Sequence, residues 1–186
     1  MEDNPGKQMV LAMKAVANMH SDCIKLFEDL DKAFPNLKSF YNTVVTLELG
    51  SSMSLRSYLA GGLIRLYHEP HNEAEFLSVN ICFFDLNDPR LTEPLFVVAR
   101  ISYEPGTIDQ KEKLKRGWDP WYAFLSWAPD RKLGEAITID RPKQREAIEK
   151  VTVAAAPLLD IHTIAEALTL ATLVGGPPAT LKLNRQ

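Results

Sequence analysis

The residues best suited to chemistry lie in segment 68–75, which contains two histidines and three carboxylates. These side chains are ligand types for zinc, iron and manganese, and imidazole titrates nearest to neutral pH. His68, His71 and Glu73 are therefore candidate catalytic residues, with His68 and His71 as candidate metal ligands. Pro70 excludes a helix, so helical spacing does not bring the two histidines together. Because polar, proline-containing sequence is typical of a hairpin loop, we favour a solvated loop and predict neither a metal nor another cofactor.

A second candidate site combines basic residues with tryptophans. The candidate binding residues are Lys113, Lys115, Arg116, Trp118 and Trp121. Positive charge beside aromatic rings suits single-stranded nucleic acid or an anionic membrane surface. Glu112 and Asp119 reduce the local charge, which favours a solvated loop that leads into a core tryptophan. The connection from Pro105 to Pro120 is nevertheless long for a hairpin, and long ordered loops often carry function.

Motifs of the common enzyme classes are absent from the sequence. It contains no glycine-rich phosphate loop, no dinucleotide-binding fingerprint, no Gly-x-Ser-x-Gly and no His-Glu-x-x-His. His20 and Cys23 are spaced like two metal ligands on adjacent helical turns, but a zinc site needs at least three protein ligands. Cys23 and Cys82 both lie in apolar patterns, which predicts buried thiols rather than a disulfide framework.

The composition is that of an ordinary globular chain of 186 residues, with 21 basic and 24 acidic residues and a net charge of -3. This balance argues against a surface coated with positive charge, so nucleic acid is not the expected partner. Proline, glycine and charged residues interrupt the weakly charged stretch Val151–Leu183, so no membrane span is predicted. The opening residues lack the basic start and the apolar run of a secretory signal, and we expect a cytoplasmic location.

The elements that must position these residues begin with a long helix. From Lys7 to Phe34 the chain has no proline or glycine, and Pro35 follows, so residues 7–34 are predicted as one helix. Apolar or semi-polar residues recur every three or four positions along one stripe. They are Met9, Met13, Val16, His20, Cys23, Phe27, Leu30 and Phe34. Further apolar rows widen this face, so we expect the whole stripe to be core, with Phe27 almost fully buried and Lys25 on the outer face.

Alternating apolar and polar residues predict strands after Pro35. The predicted strands are Val45–Leu49, a strand from about Gly62, Phe76–Phe84, Leu95–Tyr103, Trp121–Trp127 and Glu135–Ile139. No helix recurs between them, so the sheet is expected to be mainly antiparallel. Phe84, Phe96 and Val98 add apolar residues to the second face, which predicts that this face is partly covered.

Two helices are predicted after the strands. Asp140 and Pro142 suit the start of a helix that runs to about Ala155, and Thr163 with Glu166 forms a capping box for the last helix, which ends before Gly175-Gly176. The predicted fold class is therefore α+β, with a long N-terminal helix packed on a mainly antiparallel sheet of about six strands, followed by two C-terminal helices. We expect one domain over residues 1–186. Its regions are the helix 7–34, the sheet region 43–140, the helical region 141–174 and an extended tail 175–186.

The sequence leaves three hypotheses for function open. The first, which we favour, is a non-enzymatic binding or adaptor domain that binds a small apolar ligand or a protein through an apolar groove or a self-association face, the latter making it a homo-oligomer. It rests on the wide apolar helix face, the three tryptophans and the missing enzyme motifs. The second is a metal-dependent or acid/base enzyme centred on His68 and His71. The third is nucleic-acid binding through the loop Lys111–Trp121, with an affinity that falls steeply with salt.

Overall fold

The computed structural model describes most of the chain. The described residues are 4–40, 46–47, 61–83, 91–106, 119–128, 130–143 and 147–176. They form an α+β fold with an N-terminal helix, an antiparallel sheet and a C-terminal helix. This is the predicted fold class.

The N-terminal helix α1 extends over Pro5–Ala33. It begins at Pro5 because the side-chain oxygen of Asn4 accepts hydrogen bonds from the backbone N–H of Gly6 at 3.0 Å and of Lys7 at 3.3 Å. Proline suits the first helical position, where its missing N–H has no partner to lose. The predicted helix 7–34 is thus confirmed, although it begins and ends slightly earlier in the chain than predicted.

Only the C-terminal half of α1 packs against the rest of the protein. Cys23, Phe27 and Leu30 are buried, and Phe27 is 1% exposed as predicted. Residues 4–18 are all exposed, and Met9 retains 68% of its accessible surface. A helix of 29 residues is about 43 Å long, which exceeds the roughly 30 Å of a small domain. The expectation that the whole stripe is core is therefore wrong for its first half, and we call residues 5–18 the overhang.

The sheet is antiparallel at every pairing of the described strands. Its strands are β1 (Lys38–Ser39), β2 (Thr46–Leu47), β3 (Gly62–Glu69), β4 (Asn72–Cys82), β5 (Leu95–Tyr103), β6 (Ile137–Asp140) and β7 (Ile148–Pro157). The order is β1-β3-β4-β5-β7-β6, and β2 pairs with β3 as well. Since β1 and β2 both pair with β3, the seven strands occupy six positions, close to the predicted number.

The two faces of the sheet bury separate cores. Alternation along the strands sends Val79 and Phe96 to the face covered by α1, where they pack in one cluster with Phe27. It sends Val97 to the other face, in a cluster with Phe124. Both faces are thus covered, as predicted, but Phe96 and Val98 lie with Val79 on the α1 face rather than on the second face, and Phe84 lies outside the described residues.

The predicted strand Trp121–Trp127 is wrong. A short helix α2 (Asp119–Tyr122) continues into a π-helical turn, Ala123–Trp127. The backbone N–H of Ala128 donates to the carbonyl of Ala123 at 3.0 Å, which closes the wider turn. Arg131 donates to the carbonyl oxygens of the turn, including that of Leu125. An aromatic run of seven residues alternates in a way that suits either element, and Pro120 in the first turn favours the helix.

The predicted helix from Pro142 to Ala155, and with it most of the helical region 141–174, is also wrong. Residues 148–157 form β7, which lies between β5 and β6. When a strand has neighbours on both sides and both of its faces are buried, its sequence is a nearly continuous apolar run and does not alternate. Val151 and Val153 are β-branched and pair with Ile101 and Ala99 of β5. Tertiary pairing overrides the helix propensity of the three alanines that follow.

The last described helix is α3 (Ile164–Leu173). Thr163 and Glu166 form the predicted capping box, and the helix ends before Gly175 and Gly176. The N–H of Gly176 bonds to the carbonyl of Ala171 and that of Gly175 to Thr172, which is a Schellman ending. Within the described residues, no helix is both long enough and apolar enough to cross a membrane.

Candidate binding groove on the first helix

A groove of about 550 Å³ lies between α1 and the segment Leu158–Ile164. The wall opposite α1 is largely apolar, and the α1 wall combines apolar with polar and charged residues. The apolar lining residues are Ala15, Met19 and Leu26 from α1, with Leu158, Leu159, Ile161 and Ile164 from the opposite wall. Leu159 is 71% exposed. The volume falls within the roughly 300–1,000 Å³ of sites that bind ligands.

Helical periodicity places the α1 wall of the groove on one row. The row consists of Ala15, Met19, Asp22, Leu26 and Asp29. Its members are spaced by three or four residues, so they lie above one another on one side of the helix. Phe27 and Leu30 occupy the core-facing side, and the row lies at the border of this side, with Met19 and Leu26 half-buried against the core. Leu11 precedes Ala15 by four residues and extends the row into the overhang.

Hydrogen bonds hold the opposite wall in place. The N–H of Leu158 donates to the carbonyl of Pro94 at 2.8 Å. The Glu166 carboxylate accepts from the backbone N–H of Thr163 at 2.8 Å and of His162 at 2.7 Å. The bonds from Thr163 and then His162 lower the pKa of Glu166, because they favour its charged form. The wall is therefore fixed at both of its ends.

The groove has charged side chains on the α1 side. Asp22 lies 3.3 Å from the amino group of Lys25, and Asp29 lies 2.8 Å from that of Lys32. All four side chains are largely exposed. Ion pairs of this kind contribute little to stability, so the carboxylates remain open to other cations.

Cys23 lies at the floor of the groove with a buried thiol. Burial, and to a smaller degree the neighbouring charge of Asp22, raises its pKa to about 11. The thiol is therefore uncharged at neutral pH, and it acts as a small apolar group rather than a nucleophile.

A buried ion pair fixes the packed half of α1 on the sheet. Arg65 of β3 is 2% exposed, and its Nε lies 3.1 Å from Oδ1 of Asp31 while Nη2 contacts Oδ2. Tyr67, further along β3, is also buried, and burial followed by the charge of Asp31 raises the pKa of its hydroxyl. The ion pair thus joins the packed half of α1, which carries the groove wall, to β3.

The overhang adds exposed apolar surface next to the groove. Its large exposed apolar residues are Met9, Val10, Leu11, Met13 and Val16. Contiguous apolar surface of this kind marks sites of interaction with other molecules. Ala15 and Asn18 belong both to the overhang and to the groove lining, so the two surfaces are continuous.

The two candidate histidines lie at the β3–β4 hairpin. The ring of His68 is half-buried against Phe40 and Phe76, with centroids 5.8 and 6.1 Å apart, and its Nδ1 is 2.9 Å from the next residue's carbonyl oxygen. His71 is exposed on the turn and lines a cleft of about 410 Å³ together with Arg100. A smaller adjoining cavity of about 40 Å³ is lined by His68. Glu73, the third candidate, belongs to β4. The catalytic role of these residues stays a prediction.

The charged groups of this cleft are bonded to one another. Arg100 donates to Glu75 at 2.5 Å and to the carbonyl of Gly175 at 2.5 Å. Glu75 also accepts from Ser102 at 3.4 Å and Asn72 at 3.5 Å. The network ties β4 and β5 to the end of α3. Among the described residues, no three side chains of His, Cys, Asp or Glu are grouped so that they could hold a metal ion.

The basic candidates of the second predicted site lie outside the described residues. They are Lys113, Lys115 and Arg116, together with Trp118. Trp121 belongs to α2. Nucleic-acid binding through this loop therefore stays a prediction.

The sequence predicted no binding role for any residue on the wall opposite α1. The apolar pair Leu158-Leu159 lay at the supposed end of a helix, whereas the structure has it just after β7. The available signal was the capping box at Thr163, which correctly marked the end of this wall. Its position beside α1 depends on tertiary packing that sequence periodicity does not encode.

Comparisons of the chain with protein families, with curated proteins and with solved structures find no match.

Proposed function

We propose that this protein is a non-enzymatic binding protein whose ligand is a helical protein segment held in the groove between α1 and Leu158–Ile164. One observation carries the proposal: apolar side chains line both walls of the groove, and acidic side chains lie among them on the α1 side. Helix-in-groove recognition uses this combination, because apolar anchors supply the affinity and flanking charges orient the helix.

The shape of the surface favours a protein over a small molecule. A site for a small apolar ligand buries most of that ligand, roughly 70–90% of its surface. Here Leu159 is 71% exposed at one wall, and the apolar surface continues along the overhang. The overhang spans 14 residues, or about 20 Å of helix. A long open surface suits an elongated ligand.

The charged groups of the His68–His71 cleft contribute to the fold. Arg100 and Glu75 engage each other, and Nδ1 of His68 lies within hydrogen-bond distance of its own hairpin backbone. Each of these groups has a stabilising partner within the fold.

Selection of amphipathic helical peptides against the full chain tests the proposal. Selected peptides should bind the groove, so Leu159→Glu should weaken their binding about tenfold or more, since burial of a leucine contributes about 1.5–3 kcal/mol. Leu133→Glu is the matched control, because Leu133 is also an exposed leucine but lines a separate cavity with Phe124. Fluorescence anisotropy measures both affinities. Equal binding to both variants would place the peptide elsewhere and overturn the proposal.

A further inference from the structure

We infer that the segment bound in this groove is the overhang of a second copy of the chain, so that two copies pair antiparallel through α1. The inference rests on the proposed function and names its partner. It is carried by the distribution of charge along α1 and by the position of the groove on the same helix.

The two halves of α1 carry opposite charge. Between Asn4 and Ser21 the charged residues are Lys7 and Lys14, both basic. The following residues, Asp22 to Ala33, include four acidic and two basic side chains and are net negative. Antiparallel pairing therefore places the basic half of each helix beside the acidic half of the other. It also opposes the two helix dipoles.

The acidic residues of the groove are available to a partner. Asp22 and Asp29 line the groove and pair on the surface with Lys25 and Lys32. Since exposed pairs of this kind are weak, lysines from another copy can exchange with or join them. The overhang contributes two lysines seven residues apart, and the two aspartates have the same separation.

The position of groove and overhang on one helix makes the contact reciprocal. When the overhang of one copy lies in the groove of its partner, an antiparallel arrangement places the partner's overhang in the first groove, as twofold symmetry requires. Ala15 lies where overhang and groove meet, and its small side chain allows two helices to approach closely. Met9 and Met13 have flexible side chains that fit an irregular apolar surface.

The experiment is a charge exchange between the two halves of α1. One full-length variant carries Lys7→Glu and Lys14→Glu, and the other carries Asp22→Lys and Asp29→Lys. Each variant alone brings like charges together in both contacts of the dimer, whereas a mixture of the two variants restores opposite charges in both. Sedimentation velocity measures the mass of each sample. Far-ultraviolet circular dichroism and thermal melting verify that both variants are folded.

We expect the unaltered chain to be dimeric, each variant to dimerise at least about 100-fold more weakly, and the mixture to recover a one-to-one dimer. The matched control is Lys132→Glu, which alters an exposed ion pair with Glu135, outside α1, and should leave the dimer unchanged. Two results would overturn the inference: an unaltered chain that stays monomeric at all concentrations, or a dimer that neither variant weakens. If the chain is monomeric but selected peptides still depend on Leu159, a different protein is the occupant and the proposed function stands.

Discussion

The guanidinium of Arg65 is the buried charge on which the position of α1 most depends. It belongs to β3, lies under the packed half of the helix and contacts Asp31 through two nitrogens. A buried charge is stable only when it is paired and hydrogen-bonded. The pair therefore specifies where α1 sits on the sheet, and with it the wall of the groove.

Removal of the two partners of this pair should have unequal effects. Asp31→Asn removes a carboxylate charge from beside the buried guanidinium and should lower the free energy of unfolding by about 3 kcal/mol or more. Arg65→Met should cost less, because Asp31 is 32% exposed and its carboxylate can be hydrated. Urea unfolding measures both values. Equal losses, or a larger loss for Arg65→Met, would contradict this view of the pair.

Cys23 should behave as a buried, uncharged thiol. Its pKa is raised from 9.0 to about 11, so the folded state holds the proton more tightly than the unfolded state. The free energy of unfolding should therefore be unaffected by this group below pH 9.0 and should fall as the pH rises from 9.0 towards 11. Cys23→Ala should show a smaller fall than the unaltered chain. Rapid alkylation of Cys23 in the native protein below pH 9.0, detected by mass spectrometry, would contradict the burial.

Single residues show how far the sequence predicts a site. The sequence correctly predicted that Phe27 and both cysteines are buried, because each lies at a regular position within a pattern of apolar residues. The cluster at His68 and His71 was visible because its residue types are rare and close together. The groove was not, because Leu159 and Leu26 are ordinary residues that become a site only when the fold places them side by side.

At the scale of elements, α1 has two halves with different roles. Phe27→Ala should lower the free energy of unfolding by about 3–5 kcal/mol, because it leaves a cavity in the core. Met13→Ala should change it by no more than about 0.5 kcal/mol, although both residues lie on the same stripe, since Met13 is exposed. Lys25→Ala on the outer face is the control and should also stay within about 0.5 kcal/mol. Thermal or urea unfolding of dilute protein gives all three values, and a large loss for Met13→Ala would mean that the overhang is packed in the monomer.

The Schellman ending of α3 should be sensitive to substitution. Gly175 has a φ of 78°, which favours glycine, and its carbonyl accepts a hydrogen bond from Arg100. Gly175→Ala should cost about 1 kcal/mol through backbone strain. Gly134→Ala, at the same φ in a turn, serves as a comparison for the strain alone. A neutral or stabilising effect of Gly175→Ala in urea unfolding would argue against this ending.

The elements that were predicted correctly are those whose signals are local. Helix α1 has a proline at its end, β5 has alternating residues, and α3 has a capping box. The two that were wrong, β7 and the turn Ala123–Trp127, have most of their apolar residues buried against other elements. In such segments the apolar pattern fits a helix and a strand about equally well, so it does not distinguish the two kinds of structure.

At the scale of the whole molecule, one sheet separates two cores, and the candidate binding surface lies on one side of it. The groove and the overhang lie on the side of the sheet that α1 and α3 cover. Arg100, which lines the cleft beside His71, belongs to the same side. The opposite face packs against α2 and the turn that follows it. The side on which a partner binds can therefore be measured, because Leu159 is exposed on the groove side and Leu133 on the opposite side.

The most direct measurement is hydroxyl-radical footprinting of the full chain at low and at high protein concentration. If two copies pair through α1, oxidation of Met9, Met13 and Leu159 falls as the protein concentration rises, while oxidation of Leu133 stays constant. All four side chains are exposed in the single chain, so a difference between them reports association at the α1 surface. Unchanged oxidation of the overhang and of Leu159 at every concentration, or protection confined to Leu133, would contradict it.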